Sequence, residues 1–178
     1  MKQITFIAIA IFIVTIMTAY GQTNRYVPEG WKVFETSKFS ILYPDSFELV
    51  DASDLMKESF MLFPTQSLLD GLHRKIGLLI FDLYGLNVSL DRVVEIQKSQ
   101  IKKLIDGNII ESKKNATSNF EFHSIIFTTR FEQRDYKRLE RIIVKGEQIY
   151  HLSFTAEESQ FDNYIEIATK IMDSFKIK

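Results

Sequence analysis

Short stretches of alternating apolar and polar residues follow one another along most of the chain, and this spacing is typical of strands with one buried face. Phe39, Ile41 and Tyr43 alternate in this way, and Pro44 ends the stretch because its ring fixes a turn dihedral. Residues 76–83 are almost continuously apolar, which indicates a strand covered on both faces in the middle of a sheet. The predicted strands span residues 31–35, 39–43, 47–50, 59–63, 76–83, 109–112, 120–131, 137–144 and 148–155.

Two longer segments carry apolar residues at a spacing of three and four, which predicts amphipathic helices. The first spans residues 90–106, with Ser89 as its N-cap and Gly107 as the left-handed residue that ends it. The second spans residues 159–174, and the acidic pair Glu157 and Glu158 lies at its amino end, where negative charge is favoured. Residues 113–119 are predicted to form a polar connection. The two helix faces consist of Leu90, Val93, Val94, Gln97, Ile101, Leu104 and Ile105, and of Phe161, Tyr164, Ile165, Ala168, Ile171, Met172 and Phe175.

The amino terminus has the pattern of a secretory signal peptide. Lys2 precedes an uncharged apolar run over residues 4–17, and small residues follow at Ala19 and Gly21. We expect cleavage between Gly21 and Gln22, which places the mature protein in the periplasm or outside the cell. The alternative is a retained anchor, although the run is shorter than the ~20 residues that span a bilayer. The predicted organisation is a signal peptide at 1–21, a flexible lead-in at 22–30 and a single domain at 31–178.

Composition narrows the classes of function. A hydrophobic fraction of 46% and a charged fraction of 25% argue for a folded domain rather than a disordered chain. The formal net charge of −1 provides no global attraction to polyanions, so we predict no nucleic-acid partner and no membrane contact except through an uncleaved leader. The absence of cysteine excludes disulfides, thiolate metal sites, a cysteine nucleophile and a bacterial lipid anchor. We expect a monomer.

Catalytic and cofactor motifs are missing from the sequence. His73, His123 and His151 are not spaced as a metal-ligand pair, and the latter two lie inside predicted strands. No serine occupies a nucleophile elbow, and the seven glycines form no phosphate-binding loop. We therefore predict that the protein is not an enzyme and has no catalytic residue, metal or cofactor.

A leucine-rich segment between two predicted strands is the first candidate binding site. Leu68, Leu69 and Leu72 precede His73 in a stretch without strand or helix periodicity. Apolar residues in such a connection either cover the core or form an exposed contact site. If they form a contact site, replacing the three leucines with Ser leaves the fold intact and abolishes partner binding, whereas unfolding of that variant identifies them as core.

A basic hairpin is the second candidate. Residues 130–141 contain five basic side chains, and Arg134, Tyr136 and Arg138 are the predicted contact residues for an acidic partner or an anionic glycan. Three acidic residues are interspersed, so ion pairs across a solvated sheet face explain the same pattern. Both interpretations stay open at this point.

The order of landmarks along the chain resembles that of the PsbP-like superfamily, which includes the PsbP and DcrB types. The landmarks are Trp31, the run from Phe39 to Pro44 with Phe47 behind it, Asn87-Val-Ser-Leu before a helix, Gln148-Ile-Tyr-His-Leu-Ser-Phe-Thr155, Phe161-x-x-Tyr164, and Ser174-Phe175. The resemblance implies an α+β fold, an α/β/α sandwich around a central, mostly antiparallel sheet with two main helices. It also implies a non-catalytic assembly factor or a binder of a partner protein.

The leading hypothesis is therefore an exported bacterial accessory or assembly protein that binds a partner protein in the cell envelope. A carrier of a small apolar ligand, held between sheet and helix, is the alternative, and it requires a sizeable cavity lined by Phe and Leu. A hydrolase with an unrecognised site is a third hypothesis.

Overall fold

The computed structural model describes residues 26–52, 59–65 and 74–178. Its elements, in chain order, are β1 (Trp31–Glu35), β2 (Phe39–Pro44), β3 (Phe47–Asp51), β4 (Phe60–Pro64), β5 (Lys75–Asp82), α1 (Leu90–Ile101), β6 (Asn108–Ala116), β7 (Glu121–Phe131), β8 (Arg134–Lys145), β9 (Gln148–Glu157), α2 (Glu158–Asp173) and β10 (Lys176–Ile177).

Seven of the strands form one antiparallel sheet in the order β3-β4-β5-β9-β8-β7-β6. A tight turn joins β7 to β8, because Glu132 and Gln133 adopt positive φ values of 47° and 65°, the mirror-image turn that matches strand twist. The remaining strands form a smaller antiparallel sheet in the order β1-β2-β10.

The two helices cover opposite faces of the large sheet. Phe161 of α2 packs against Phe154 of β9 with ring centroids 5.2 Å apart. On the other face, Val94 and Ile101 of α1 pack against a separate cluster that includes Phe127 of β7. The predicted α+β architecture, an α/β/α sandwich around an antiparallel sheet with two main helices, is confirmed.

The small sheet lies beside α2 and is joined to the large sheet by aromatic rings. Phe39 of β2 is fully buried and lies 5.8 Å from Phe60 of β4 and 5.6 Å from Phe175, as measured between ring centroids. Just after α2, the hydroxyl of Ser174 accepts a hydrogen bond of 2.8 Å from the backbone N–H of Leu42. The carboxyl end of the chain therefore connects both sheets.

The prediction that residues 76–83 are covered on both faces is wrong, although they do form an interior strand of the sheet. The strand there, β5, is third from one edge, and β9 is the central strand. Leu79 and Phe81 are 38% and 39% exposed on the α1 side. The reason is that α1 has only 12 residues and packs mainly over β6, β7 and β8.

The end of α1 also differs from the prediction. Ser89 does cap the helix, accepting a hydrogen bond from the N–H of Arg92, but the helix ends at Ile101 rather than at residue 106. The residue with positive φ is Asp106, at 53°, and not Gly107. Gly107 is needed for another reason: a Cβ there would lie 2.0 Å from the carbonyl oxygen of Ile101.

The predicted connection over residues 113–119 is wrong for its first part, since β6 continues to Ala116. The register pairs Ala116 with Glu121 of β7. As the edge of the sheet, β6 is mostly exposed and carries Lys113 and Lys114, and an edge strand of this kind has no buried face to impose apolar alternation.

Candidate functional site

A cleft of about 500 Å³ opens on the α1 side of the large sheet. Its walls are the turn that follows α1 and the tip of the β7–β8 hairpin, and its floor is formed by the adjoining ends of β5, β8 and β9. The apolar side chains on the walls are Leu104, Ile105 and Phe131. The cleft volume lies within the range of pockets that bind small molecules and cofactors.

The wall residues are held by backbone contacts rather than by burial of their side chains. The carbonyl oxygen of Ile105 accepts a hydrogen bond of 2.8 Å from the N–H of Arg130 and one of 3.0 Å from the hydroxyl of Thr129. The side chains of Ile105 and Phe131 nevertheless remain 69% and 62% exposed. The backbone at Ile105 is thus held at the cleft mouth, and the large apolar side chains there are available for contact.

The floor of the cleft carries two cations on one face of the sheet. Thr155 of β9 pairs with Lys75 of β5 on one side and with Arg138 of β8 on the other, so these three side chains lie in a row. The Nε of Arg138 donates a hydrogen bond of 2.9 Å to the hydroxyl of Thr155. Burial and the charge of Arg138 both lower the pKa of Lys75. The fold therefore keeps two positive groups close together in a partly dehydrated position.

Arg130 and Arg134 of the basic hairpin are neutralised by carboxylates. Arg130 lies 3.1 Å from Asp106 and 2.8 Å from Asp135, and Arg134 forms an ion pair with Glu157. Glu157 is the cap residue of α2, as the acidic pair at that position predicted. Ion pairing therefore explains these two residues of the pattern.

Arg138 and Lys75 are much less neutralised. The nearest carboxylate oxygen to Arg138 is Oε1 of Glu140, at 3.8 Å. Among the residues that the structure describes, no carboxylate lies within 4.0 Å of the Lys75 ammonium. Lys75 is therefore the cation on the cleft floor that a bound anion would neutralise.

Glu140 belongs to a buried polar network under α1. It is 2% exposed and accepts a hydrogen bond of 2.8 Å from the side-chain amide of Gln97, and Nε2 of His151 lies 3.1 Å from the same carboxylate oxygen. Burial raises the pKa of Glu140, but His151, Arg138 and Gln97 lower it by more, so the net shift is downward. The carboxylate fixes α1 to the sheet from inside.

Of the predicted binding residues, the structure places Tyr136 and Arg138 in the cleft lining and Arg134 in an ion pair outside it. Leu68, Leu69, Leu72 and His73 lie outside the described residues, as do the signal peptide and its cleavage point. The leucine segment therefore stays a prediction.

Sequence reasoning missed Lys75, Thr155, Leu104 and Ile105 as cleft residues. Leu104 and Ile105 continue the helical spacing of α1, and this spacing predicts that they lie on its buried face. The sequence does contain one local signal for the cleft, since Phe131 and Tyr136 are interleaved with the basic residues of the hairpin.

In the described part of the chain, no group of three or more His, Cys, Asp or Glu side chains is arranged to hold a metal ion. His123 lies 2.7 Å from the hydroxyl of Ser112, and burial lowers the pKa of its imidazole.

Within residues 26–52, 59–65 and 74–178, no helix has both the length and the apolar character to cross a membrane.

Comparison with solved structures shows which fold this is. The cyanobacterial PsbP (CyanoP) of Synechocystis sp. PCC 6803 is similar over 84% of this chain and 93% of its own, with a TM-score of 0.64 and 10% identity. The Ran-binding protein Mog1p of Saccharomyces cerevisiae is similar over 83% and 95%, with a TM-score of 0.55 and 10% identity.

A protein of Bacteroides thetaiotaomicron is similar over 84% of this chain and 48% of its own, with a TM-score of 0.53 and 13% identity. The sequence matches no protein-family model, and no curated protein is similar to it in sequence. The chain therefore has the PsbP-like fold, as the resemblance implied, and identities this low speak for the fold alone.

Proposed function

We propose that the protein is an exported, non-catalytic accessory or assembly protein that binds a partner protein of the cell envelope through the cleft beside α1. The observation that carries the proposal is the cleft itself, where exposed apolar side chains surround Lys75, a cation with no carboxylate partner among the described residues. Aromatic and arginine side chains are enriched at protein interfaces, and the cleft contains Phe131, Tyr136 and Arg138.

Two further observations support the proposal. The apolar run at residues 4–17, followed by Ala19 and Gly21, is the basis for export. Mog1p, which is similar in fold, is by name a Ran-binding protein, so the fold accommodates protein binding in that case. The ionisable groups around the cleft are mainly cations engaged in structural contacts, which suits a binding surface better than acid–base chemistry.

Site-specific photocrosslinking in the native envelope tests this function. A benzoylphenylalanine at position 131 replaces one exposed aromatic residue with another inside the cleft, and the same replacement of Tyr84 is the matched control. Tyr84 is 89% exposed and follows the far end of β5, away from Lys75. We expect one discrete protein adduct from position 131 and none from position 84. Equal labelling from both positions, or no adduct from position 131, would contradict a partner site in the cleft.

A carrier of a small apolar ligand is the second candidate, and the volume of the cleft together with Leu104, Ile105 and Phe131 favours it. Native mass spectrometry of protein purified from the periplasm distinguishes the two functions. A small molecule that co-purifies with the protein and is released when the protein is denatured would support the carrier. A measured mass equal to that of the protein alone, together with the crosslinked adduct, would support the protein binder.

A further inference from the structure

We infer that the cleft binds an acidic residue of the partner protein together with an apolar residue next to it. Lys75 receives the carboxylate, with Arg138 and Thr155 beside it, and the apolar neighbour packs between the two walls of the cleft. The inference rests on the proposed function and specifies which residue types the partner presents to the cleft.

The charge on the floor selects a carboxylate. Lys75 and Arg138 repel each other across Thr155, and no carboxylate of the described residues lies within ion-pair distance of Lys75. A half-buried cation without a counter-ion is unfavourable for the fold, because desolvation penalises the charge. An incoming carboxylate offsets the repulsion and the desolvation cost, because it attracts both cations and accepts charge-assisted hydrogen bonds from them.

The negative groups around the cleft disfavour a more highly charged anion. Glu132 lies in the lining, and Arg130 already holds Asp106 and Asp135 at its rim. A phosphate with two negative charges would meet these carboxylates, whereas a single carboxylate placed at Lys75 avoids them. The site is therefore matched to the side chain of Asp or Glu.

The exposed apolar side chains of the cleft walls favour an apolar residue next to the acidic residue of the partner protein. Leu104, Ile105 and Phe131 are 42%, 69% and 62% exposed, so they flank the cleft without closing over it. An acyl chain in such a site would leave much of its surface in water. A side chain of Leu or Phe on a partner surface covers the walls from outside and is itself covered by the rest of the partner.

Peptide selection tests the inference with the protein expressed with its leader and purified from the periplasm. A random twelve-residue library displayed on phage is selected on the wild-type protein, and the best peptide is compared with its Glu→Gln or Asp→Asn counterpart by fluorescence anisotropy. We expect the enriched peptides to place Asp or Glu beside Leu or Phe. We also expect the neutral counterpart to bind about tenfold more weakly, as the loss of a charged hydrogen bond predicts.

Protein variants locate the binding. Lys75→Met is expected to weaken the acidic peptide about tenfold. Lys103→Met, which removes the same charge from an exposed residue next to Leu104, is expected to change binding less than about twofold. Because Lys75 has a repulsive cation neighbour, Lys75→Met should melt no lower than the wild type. A lower melting temperature would show that this ammonium serves the fold and would overturn the inference.

The outcomes separate this inference from the proposed function. If selection enriches no acidic and apolar pair, or if Lys75→Met and Lys103→Met behave alike, while position 131 still crosslinks a protein, the chemistry assigned to the partner is wrong and the function stands. If dodecanoate binds to the wild type but not to Lys75→Met, and no peptide is enriched, the carrier function replaces both the proposed protein binding and the inferred partner chemistry.

Discussion

Replacing Phe39 with Ala is expected to lower the free energy of unfolding by about 4 kcal/mol. Phe39 is fully buried, and its ring lies within 6 Å of those of Phe34, Phe60 and Phe175. The substitution removes the central ring of a cluster that joins the small sheet, the large sheet and the end of α2, and the surrounding strands cannot collapse onto the cavity. Urea denaturation followed by the fluorescence of Trp31 measures the change.

The matched control is Phe131→Ala, which makes the same chemical change at a side chain that is 62% exposed. We expect that variant to lie within about 0.5 kcal/mol of the wild type. A loss below about 1.5 kcal/mol for Phe39→Ala, or equal losses for the two variants, would contradict the packing described for the small sheet.

Replacing Glu140 with Ala is expected to cost about 3 kcal/mol of unfolding free energy at pH 7, the second largest effect. The substitution leaves the amide of Gln97 without its acceptor and removes the carboxylate next to His151 and Arg138, all beneath α1. The matched control is Glu95→Ala, since that side chain is 65% exposed and pairs with Lys98 on the surface of α1. The control is expected to change stability by less than about 1 kcal/mol.

The pH dependence of this contribution has a definite sign. The pKa of Glu140 in the folded protein lies below its ordinary value of 4.5, because the attraction of His151 and Arg138 and the hydrogen bond from Gln97 outweigh the opposing effect of burial. The ionised group therefore stabilises the fold above about pH 4.5, and this stabilisation is lost as the pH falls through the folded-state pKa. The stability advantage of the wild type over Glu140→Gln should shrink at acid pH. A difference that grows on acidification would contradict the network.

The two helices show which features of the fold the local sequence pattern predicts. The buried face of α2 follows the predicted spacing, since Phe161, Ala168, Ile171 and Met172 are all buried. The start of α1 follows from its cap, Ser89. Its end does not, because the spacing of apolar residues continues through Ile105 while the backbone turns away.

That turn is set mainly by contacts distant in sequence, since Thr129 and Arg130 of β7 donate hydrogen bonds to the carbonyl oxygen of Ile105. Within the segment itself, Gly107 lies too close to the carbonyl oxygen of Ile101 to carry a side chain. No periodicity over residues 90–107 contains this information, since β7 lies further along the chain.

The cleft floor was beyond sequence reasoning for a similar reason. Lys75, Arg138 and Thr155 come from three strands, and only the register of β5, β9 and β8 brings them together. A shift of one residue in either pairing would send one of these side chains to the opposite face. The interleaved hairpin residues indicate a contact surface, but the tertiary structure decides which cation has no carboxylate partner in the described part of the chain.

The central claim is that a partner protein binds in the cleft beside α1. Hydrogen–deuterium exchange tests it most directly, by comparing the protein alone with its complex with the partner that crosslinking from position 131 identifies. Binding in the cleft predicts slower exchange in peptides covering residues 102–107 and 128–138, with residues 31–44 of the small sheet unchanged. Slower exchange confined to the small sheet, with unchanged exchange at the turn after α1 and at the hairpin tip, would contradict the claim.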